Sequence, residues 1–303
     1  MEGASAMTAP TRRGFLAAAA GTLASAGSPA EAAEPIRRAG KPRMRLSLAA
    51  YSYRDHLTGR AEPRMTLLEF VDAVAEMDCD AVELTEYYFR KPVTTTEVTA
   101  LKRRCYLNGL DISGAPMRST LTHPAGPERD RELAAVRAWV DWCALLGAPT
   151  IRVFAGDVRL GQTPEDAVRC CIEALEEACA YAGDKGVLLA LENHGGIVAE
   201  PSGLLAIIRG VRSDWCGVNL DSGNFHTADP YADVALCAPY AVTAQVKTEV
   251  QRRGGPKEPA DLPRIIGILR DTGYRGYVTL EYEAAEPALQ AVPRTLRELR
   301  ALL

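Results

Sequence analysis

The chain has 303 residues, 47% of them apolar and 24% charged, which is ample material for a large buried core and excludes collagen-like or wholly disordered organisation. Thirty-five Lys and Arg against 39 Asp and Glu leave a formal charge of −4, which argues against a broad electropositive face for nucleic acid. No uninterrupted apolar run reaches the roughly 18 residues needed to cross a bilayer, so stable membrane insertion is not expected.

The first forty residues differ from the rest. Arg12-Arg13-Gly14-Phe15-Leu16 precedes a mild Ala/Gly/Leu run, and Ser28-Pro29-Ala30-Glu31-Ala32-Ala33 follows it. A positive start, a weakly apolar centre and small residues at the end make an export signal of twin-arginine type. Cleavage is expected near Ala30-Glu31-Ala32, with the twin-arginine export machinery as partner and a periplasmic location. Residues 1–40 are therefore set apart from the domain expected over 41–303.

From Arg45 onward, short apolar runs alternate with segments of helical period. Strands are expected at Leu46–Ser52, Ala81–Tyr87, Asp111–Pro116, Thr150–Ala155, Val187–Glu192, Cys216–Asp221, Val242–Thr248 and Tyr277–Glu281. Between them, Leu133, Val136, Val140 and Cys143 form one helical stripe, and Val168, Cys171, Ile172, Leu175 and Cys179 form another. Thr163, Pro164 and Asp166 read as the cap, first helical position and capping-box acid of that second helix. Leu289, Val292, Leu296, Leu299 and Leu303 close the chain. Eight strand–helix units imply a single α/β domain, a (β/α)8 TIM barrel. The open doubly wound alternative lacks a Gly-x-Gly-x-x-Gly after the first strand, which runs instead into Ala49-Ala50-Tyr51-Ser52-Tyr53. Eight cysteines without a Cys-x-x-Cys read mostly as small buried hydrophobes, one disulfide being conceivable outside the cytoplasm.

A barrel carries its active site at the C-terminal ends of its strands. There the expected strands 5 to 8 break their apolar pattern, with Glu192 before Asn193-His194-Gly195-Gly196, Asp221 before Ser222-Gly223-Asn224, Gln245 before Val246-Lys247-Thr248-Glu249, and Glu281 before Tyr282-Glu283. Buried carboxylates need partners, and one shared divalent cation would serve them all. Period-two alternation puts Gln245, Lys247 and Glu249 on one row, and Thr279, Glu281 and Glu283 on another. Gln245 and Glu281 are taken as the pair level with Glu192 and Asp221. An all-oxygen set suits Mn²⁺ or Mg²⁺ better than thiolate-type zinc.

These strand ends resemble the xylose-isomerase-like barrel superfamily of sugar phosphate isomerases and epimerases over about residues 45 to 300, within an exported bacterial branch. The resemblance implies one divalent metal, Mn²⁺ first and Mg²⁺, Co²⁺ or Zn²⁺ otherwise, held by Glu192, Asp221, Gln245 and Glu281. Gln245 departs from the family's histidine. The resemblance further implies α-proton transfer between Glu192 and Glu281 through an enediolate beside a metal-bound carbonyl, on a small carbohydrate. A three-zinc DNA-repair endonuclease of the same superfamily does not fit a chain with only His56, His123, His194 and His226.

His194 is expected as a proton donor or hydroxyl partner, and Lys247 as an ion-pair or enolate-stabilising group. Glu83 and Arg152 interrupt apolar runs and are expected to pair with each other or touch substrate. Asn224, His226 and Tyr53 are further substrate contacts, Tyr53 within an aromatic wall of Tyr51, Tyr87, Tyr88 and Phe89. Arg252, Arg253 and Lys257 read as solvating a glycine-rich loop rather than gripping an anion. Two other readings stay open. One is a metal-dependent lyase or dehydratase on a 3-keto-glycoside, inosose or polyol; the other is a non-catalytic sugar-binding barrel. Monomer and homodimer are both compatible with the sequence.

Overall fold

The computed structural model describes residues 34–303, so the twin-arginine segment lies outside the described residues. Eight parallel strands form the barrel: β1 Arg43–Ala49, β2 Ala81–Glu83, β3 Asp111–Gly114, β4 Thr150–Val153, β5 Leu188–Glu192, β6 Cys216–Asp221, β7 Ala241–Val246 and β10 Arg275–Leu280. Their hydrogen-bonded order is β3-β2-β1-β10-β7-β6-β5-β4. The seam between β3 and β4 is closed beyond the ladder, where Ala115 N donates to Thr150 O at 2.9 Å and Met117 N to Arg152 O at 3.0 Å. Thr150 Oγ1 adds a third bond to Ser113 O. Closure leaves no free strand edge.

Each barrel strand is followed by a helix: α1 Leu67–Glu76, α2 Thr95–Leu107, α3 Pro127–Leu146, α4 Pro164–Asp184, α5 Pro201–Gly210, α6 Pro230–Cys237, α7 Leu262–Asp271 and α8 Ala288–Leu302. The anticipated capping box of α4 is present, with Thr163 and Asp166 satisfying each other's backbone and Pro164 at the first turn. Thr66 and Glu69 do the same for α1. The buried face of α4 is rotated from the expected stripe. Val168 and Ile172 are only half-buried, while Ala167, Ala174, Ala178 and Ala182 pack inward with Cys170, Cys171, Leu175 and Cys179, and these small residues bring the helix close to the sheet. On α3, Leu133, Val136, Val140 and Cys143 are buried as expected, together with Trp139 and Leu146. Leu289 of α8 is exposed, and the inward face begins at Ala291 and Val292. All eight cysteines are free, so the conceivable disulfide is absent.

The strands alternate rather than run apolar throughout. Leu46, Leu48, Val82, Leu189, Leu191, Val218, Val278 and Leu280 join the core cluster beneath the helices. Polar side chains of the intervening positions are also buried. Ser47 Oγ and Ser113 Oγ lie 2.7 Å apart, Thr279 is buried as the register partner of Ser47, and Thr243 is buried on β7. Ser47 and Ser113 partner each other, whereas the Thr243 and Thr279 hydroxyls are buried without a hydrogen-bond partner.

The expected ends of β5 at Glu192 and β6 at Asp221 are observed, while the other six strands stop one to four residues short of expectation. After Ala49 the chain turns into a 3-10 segment at Ala50–Tyr53, and after Glu83 into another at Glu86–Tyr88. The glycine-rich loop after β7 holds an antiparallel hairpin, β8 Glu249–Gln251 and β9 Lys257–Pro259.

Candidate active site

Register decides which polar side chains meet at the C-terminal mouth. Asp221 of β6 is the partner of Gln245 on β7, and Gln245 is the partner of Thr279 on β10. Glu281 therefore stands beyond Gln245, where its N–H donates to Val246 O at 3.0 Å and its side chain meets Lys247. The expected equal depth of Gln245 and Glu281 is corrected by this two-residue offset.

Glu192 is the most heavily held carboxylate. Its Oε2 lies 2.7 Å from Arg152 Nε as an ion pair without hydrogen-bond alignment, and accepts from Asn219 Nδ2 at 3.2 Å. Its Oε1 accepts from Asn224 Nδ2 at 2.9 Å. Arg152 also donates to Met117 O at 3.0 Å and to the Tyr87 hydroxyl at 3.3 Å, with its guanidinium over the Phe154 ring. Arg152 thus pairs with Glu192 rather than with Glu83. Glu83 instead accepts from Gln245 Nε2 at 2.8 Å, while Gln245 Oε1 accepts from Asn219 Nδ2 at 2.7 Å. Asn219 is the hub between Glu192 and Gln245. It was not singled out from sequence, although a buried amide two residues before Asp221 in an apolar strand was the available signal.

Asp221 is set by its backbone. Asn193 clamps it by accepting from Asp221 N and donating to Asp221 O, both at 2.9 Å. Lys247 Nζ donates to Glu281 Oε2 at 2.6 Å and to Glu283 Oε2 at 2.5 Å, and lies 3.4 Å from Asp221 Oδ2. The expected pairing with Glu283 is present; Glu249 instead faces Lys257.

Burial raises Glu83 to about 8, and raises Glu192 and Asp221 to about 7 despite their cationic neighbours. Burial would raise Glu281 too, but Lys247 and then Arg152 outweigh it and hold Glu281 below the usual carboxylate range. Asp221 differs because Lys247 stands farther off and makes no hydrogen bond to it. Lys247 is raised well above an ordinary lysine, since Asp221, Glu281 and Glu283 outweigh its desolvation.

The cavity above these groups has a volume of about 390 Å³, with Glu192, Glu281, Arg152, Lys247, Tyr51 and Tyr87 in its walls. His194 is exposed at its edge, its ring 4.3 Å from that of Phe154. Asn224 and His226 line adjoining cavities rather than this one. Tyr53 is a correction. It is buried against Phe70, with its hydroxyl toward Met77 Sδ, because the 3-10 turn rotates it into the core and leaves Tyr51 facing the mouth. Phe89 likewise packs on Trp139. Arg252, Arg253 and Lys257 are each engaged by a carboxylate, namely Glu258, Glu200 and Glu249, as a solvated loop would have them. Arg118, missed from sequence, lines the main cavity with its guanidinium over Tyr87.

The buried charge at the mouth is acidic enough to favour a divalent cation, although Gln245 Oε1 is already engaged by Asn219. Four buried carboxylates, Glu83, Glu192, Asp221 and Glu281, face two buried cations, Arg152 and Lys247. With all four ionised the deficit is two positive charges, a deficit the raised carboxylates otherwise meet by holding protons. Asp221 Oδ2 is buried without a hydrogen-bond donor. Among the described residues no three acidic, histidine or cysteine side chains already stand at a metal's spacing, and the Lys247 ammonium lies between Asp221 and Glu281.

Residues 71–302 match the family model described as xylose isomerase-like TIM barrel. Among curated proteins none matches the chain. Of solved structures, 3-keto-D-glucoside 4-epimerase, YcjR, from E. coli superposes with a TM-score of 0.68 at 15% identity, over 86% of this chain and 100% of that one. D-psicose 3-epimerase gives 0.67 at 16% identity, over 84% and 89%. A xylose isomerase domain protein from Planctomyces limnophilus gives 0.64 at 17% identity, over 86% and 98%. At these identities the likeness is one of fold.

Proposed function

The chain belongs to the xylose isomerase-like TIM barrel family, and from that premise we propose that it is an isomerase or epimerase of a sugar or keto-sugar, working by proton transfer at the carbon beside a carbonyl. The observation that carries the reading is that Glu192 and Glu281, from strands separated by β6 and β7, line one cavity together with Arg152 and Lys247. Two carboxylates can take and return a proton, and two cations can steady the negative charge that develops meanwhile. The named activities of two structural neighbours, both epimerases of keto-sugars, support the same class.

Each residue has a task in this reading. Glu281 is held ionised and oriented by Lys247. Glu192 is aimed by Asn219 and Asn224. Arg152, anchored on Met117 O, offers its remaining donors to a substrate oxygen. His194, its ring tilted against that of Phe154, is within the wall as a proton donor or hydroxyl partner. Glu192, Asp221, Gln245 and Glu281 would hold a divalent ion, Mn²⁺ before Mg²⁺, Co²⁺ or Zn²⁺, and when bound the ion supplies positive charge that acidifies the carbon beside the carbonyl. Arg12-Arg13 support an exported, periplasmic enzyme; replacing both with lysine should retain the chain in the cytoplasm, as fractionation would show.

The test is incorporation of solvent deuterium into a panel of keto-sugars. Glu281→Gln should lower exchange by about 100-fold or more while the thermal unfolding curve stays cooperative. Undiminished exchange in that variant would remove Glu281 from the reaction, and absence of exchange in the parent on every keto-sugar would remove the isomerase reading.

A further inference from the structure

Three cavities ring the barrel mouth and share walls. The main one, above Glu192 and Glu281, meets a second of about 270 Å³ at His194. The second meets a third of about 160 Å³ at Asn224 and His226, and the third returns to the main one at Lys247 and Glu283. The reacting groups lie in the first. The second holds neither Glu192 nor Glu281, and its wall is bridged across three loops. Arg253 N donates to Thr227 O at 2.8 Å, and the Arg253 guanidinium is paired with Glu200, tying the loop after β5 to the loop after β6 and to the hairpin. Asn224 reaches from the second cavity to Glu192.

The chemistry of this second chamber is that of a neutral hydrogen-bonding surface. Glu200 and Arg253 offset each other's charge, and His194, His226 and Asn224 present donors and acceptors. Such a wall, with apolar faces between its hydrogen-bonding groups and no net charge, suits a ring bearing hydroxyls and is poor for a phosphate. A single sugar ring above the carboxylates would leave it empty.

Resting on the isomerase reading, we propose that the substrate is a two-ring glycoside, whose keto ring sits over Glu192 and Glu281 and whose second sugar passes His194 into the chamber lined by Asn224, His226 and Arg253. His194 then stands beside the glycosidic oxygen, and Ala199 at the outer wall of the second chamber touches only the second ring.

Deuterium exchange is compared for methyl 3-keto-glucoside and for the 3-keto derivatives of maltose and cellobiose, with the parent and with Ala199→Trp, which fills the second chamber from an exposed position. The expected result is a kcat/KM at least about tenfold higher for a disaccharide in the parent. That preference should be lost in Ala199→Trp, with the methyl glycoside changed less than about twofold. Equal rates on all three substrates, unaltered by the tryptophan, would overturn the second-ring site and leave the isomerase reading standing. If nothing exchanges, the isomerase reading fails and calorimetry decides the site. Binding of unoxidised maltose or cellobiose that is stronger than that of methyl glucoside and is abolished in Ala199→Trp supports it; no such difference overturns it. Should the tryptophan variant unfold, Arg253→Ala, which removes one side chain of the chamber wall, should lower the disaccharide's kcat/KM toward that of the methyl glycoside, and an unchanged preference would overturn the second-ring site.

Discussion

Lys247 carries more of the site's electrostatics than any other single residue. Its ammonium is buried and makes contact with three carboxylates, so its removal leaves Asp221 and Glu281 without their common partner. Breaking a buried ion pair from one side costs about 3–5 kcal/mol. Lys247→Met should therefore lower the unfolding free energy by about that amount at neutral pH with chelator present, as denaturant titration would measure. Excess Mn²⁺ should recover part of the loss, because a divalent ion replaces the missing charge at Asp221 and Glu281; a loss that Mn²⁺ leaves untouched would separate Lys247 from the cation site. At this scale, Glu192, Asp221, Gln245, Lys247 and Glu281 are all buried, while of the residues that alternation groups with Glu192 and Gln245, His194 is exposed and Glu249 is turned to Lys257. What alternation does not carry is stagger between neighbouring strands. Glu281 consequently sits beside Lys247 instead of Gln245, and Arg152 reaches Glu192 instead of Glu83.

The elements that shape the mouth are short turns, and glycine is structurally required at one of them. Gly195 and Gly196 both adopt positive φ, at 62° and 54°. A Cβ at Gly195 would meet nothing within 4 Å, whereas one at Gly196 would fall 2.2 Å from Gly156 O on the loop after β4. Ile197 N hydrogen-bonds that same carbonyl at 3.1 Å, so the two loops cannot simply part. Gly195, at φ 62° and ψ −159°, occupies an extended positive-φ region that is essentially glycine's alone, so Gly195→Ala should cost backbone strain of about 1–3 kcal/mol without a steric clash. Gly196→Ala should cost more than that and should also weaken substrate binding by shifting His194, which differential melting of the two variants and their KM values would reveal. Equal melting temperatures would mean that the loop relaxes around the added methyl. The Gly-Gly pair, the Thr163–Asp166 box and the α3 stripe were legible in sequence because each is a local pattern. The β8–β9 hairpin was not, since three-residue strands carry no readable period, and the turn of β1 into a 3-10 helix at Ala50 was hidden by an apolar and aromatic run that strands also favour.

Over the whole molecule, the helices and the closed barrel follow from repeated strand–helix units. The mouth follows from a concentration of acid that the fold alone does not neutralise. With four buried carboxylates facing two buried cations, the folded protein without a divalent ion holds protons that the unfolded chain has released. Glu192 and Asp221 titrate near 7 and Glu83 near 8 when folded, above the range of about 4 for free carboxylates. The sign follows from linkage. Between those values the native state binds more protons, so stability is fullest at the acid end of the window and declines as pH rises from about 5 to about 8. Glu281, held below the usual range by Lys247, acts oppositely but loses its contribution only at more acid pH. A divalent ion competes with exactly those protons, so its stabilisation must grow with pH. Thermal unfolding in chelator should therefore show a melting temperature that falls between about pH 5 and about pH 8, and excess Mn²⁺ should flatten that fall by raising the curve most at the alkaline end. A melting temperature equally indifferent to pH and to Mn²⁺ would mean that the excess charge at the mouth is neutralised within the protein, and the case for a cation held by Glu192, Asp221, Gln245 and Glu281 would lose its physical basis.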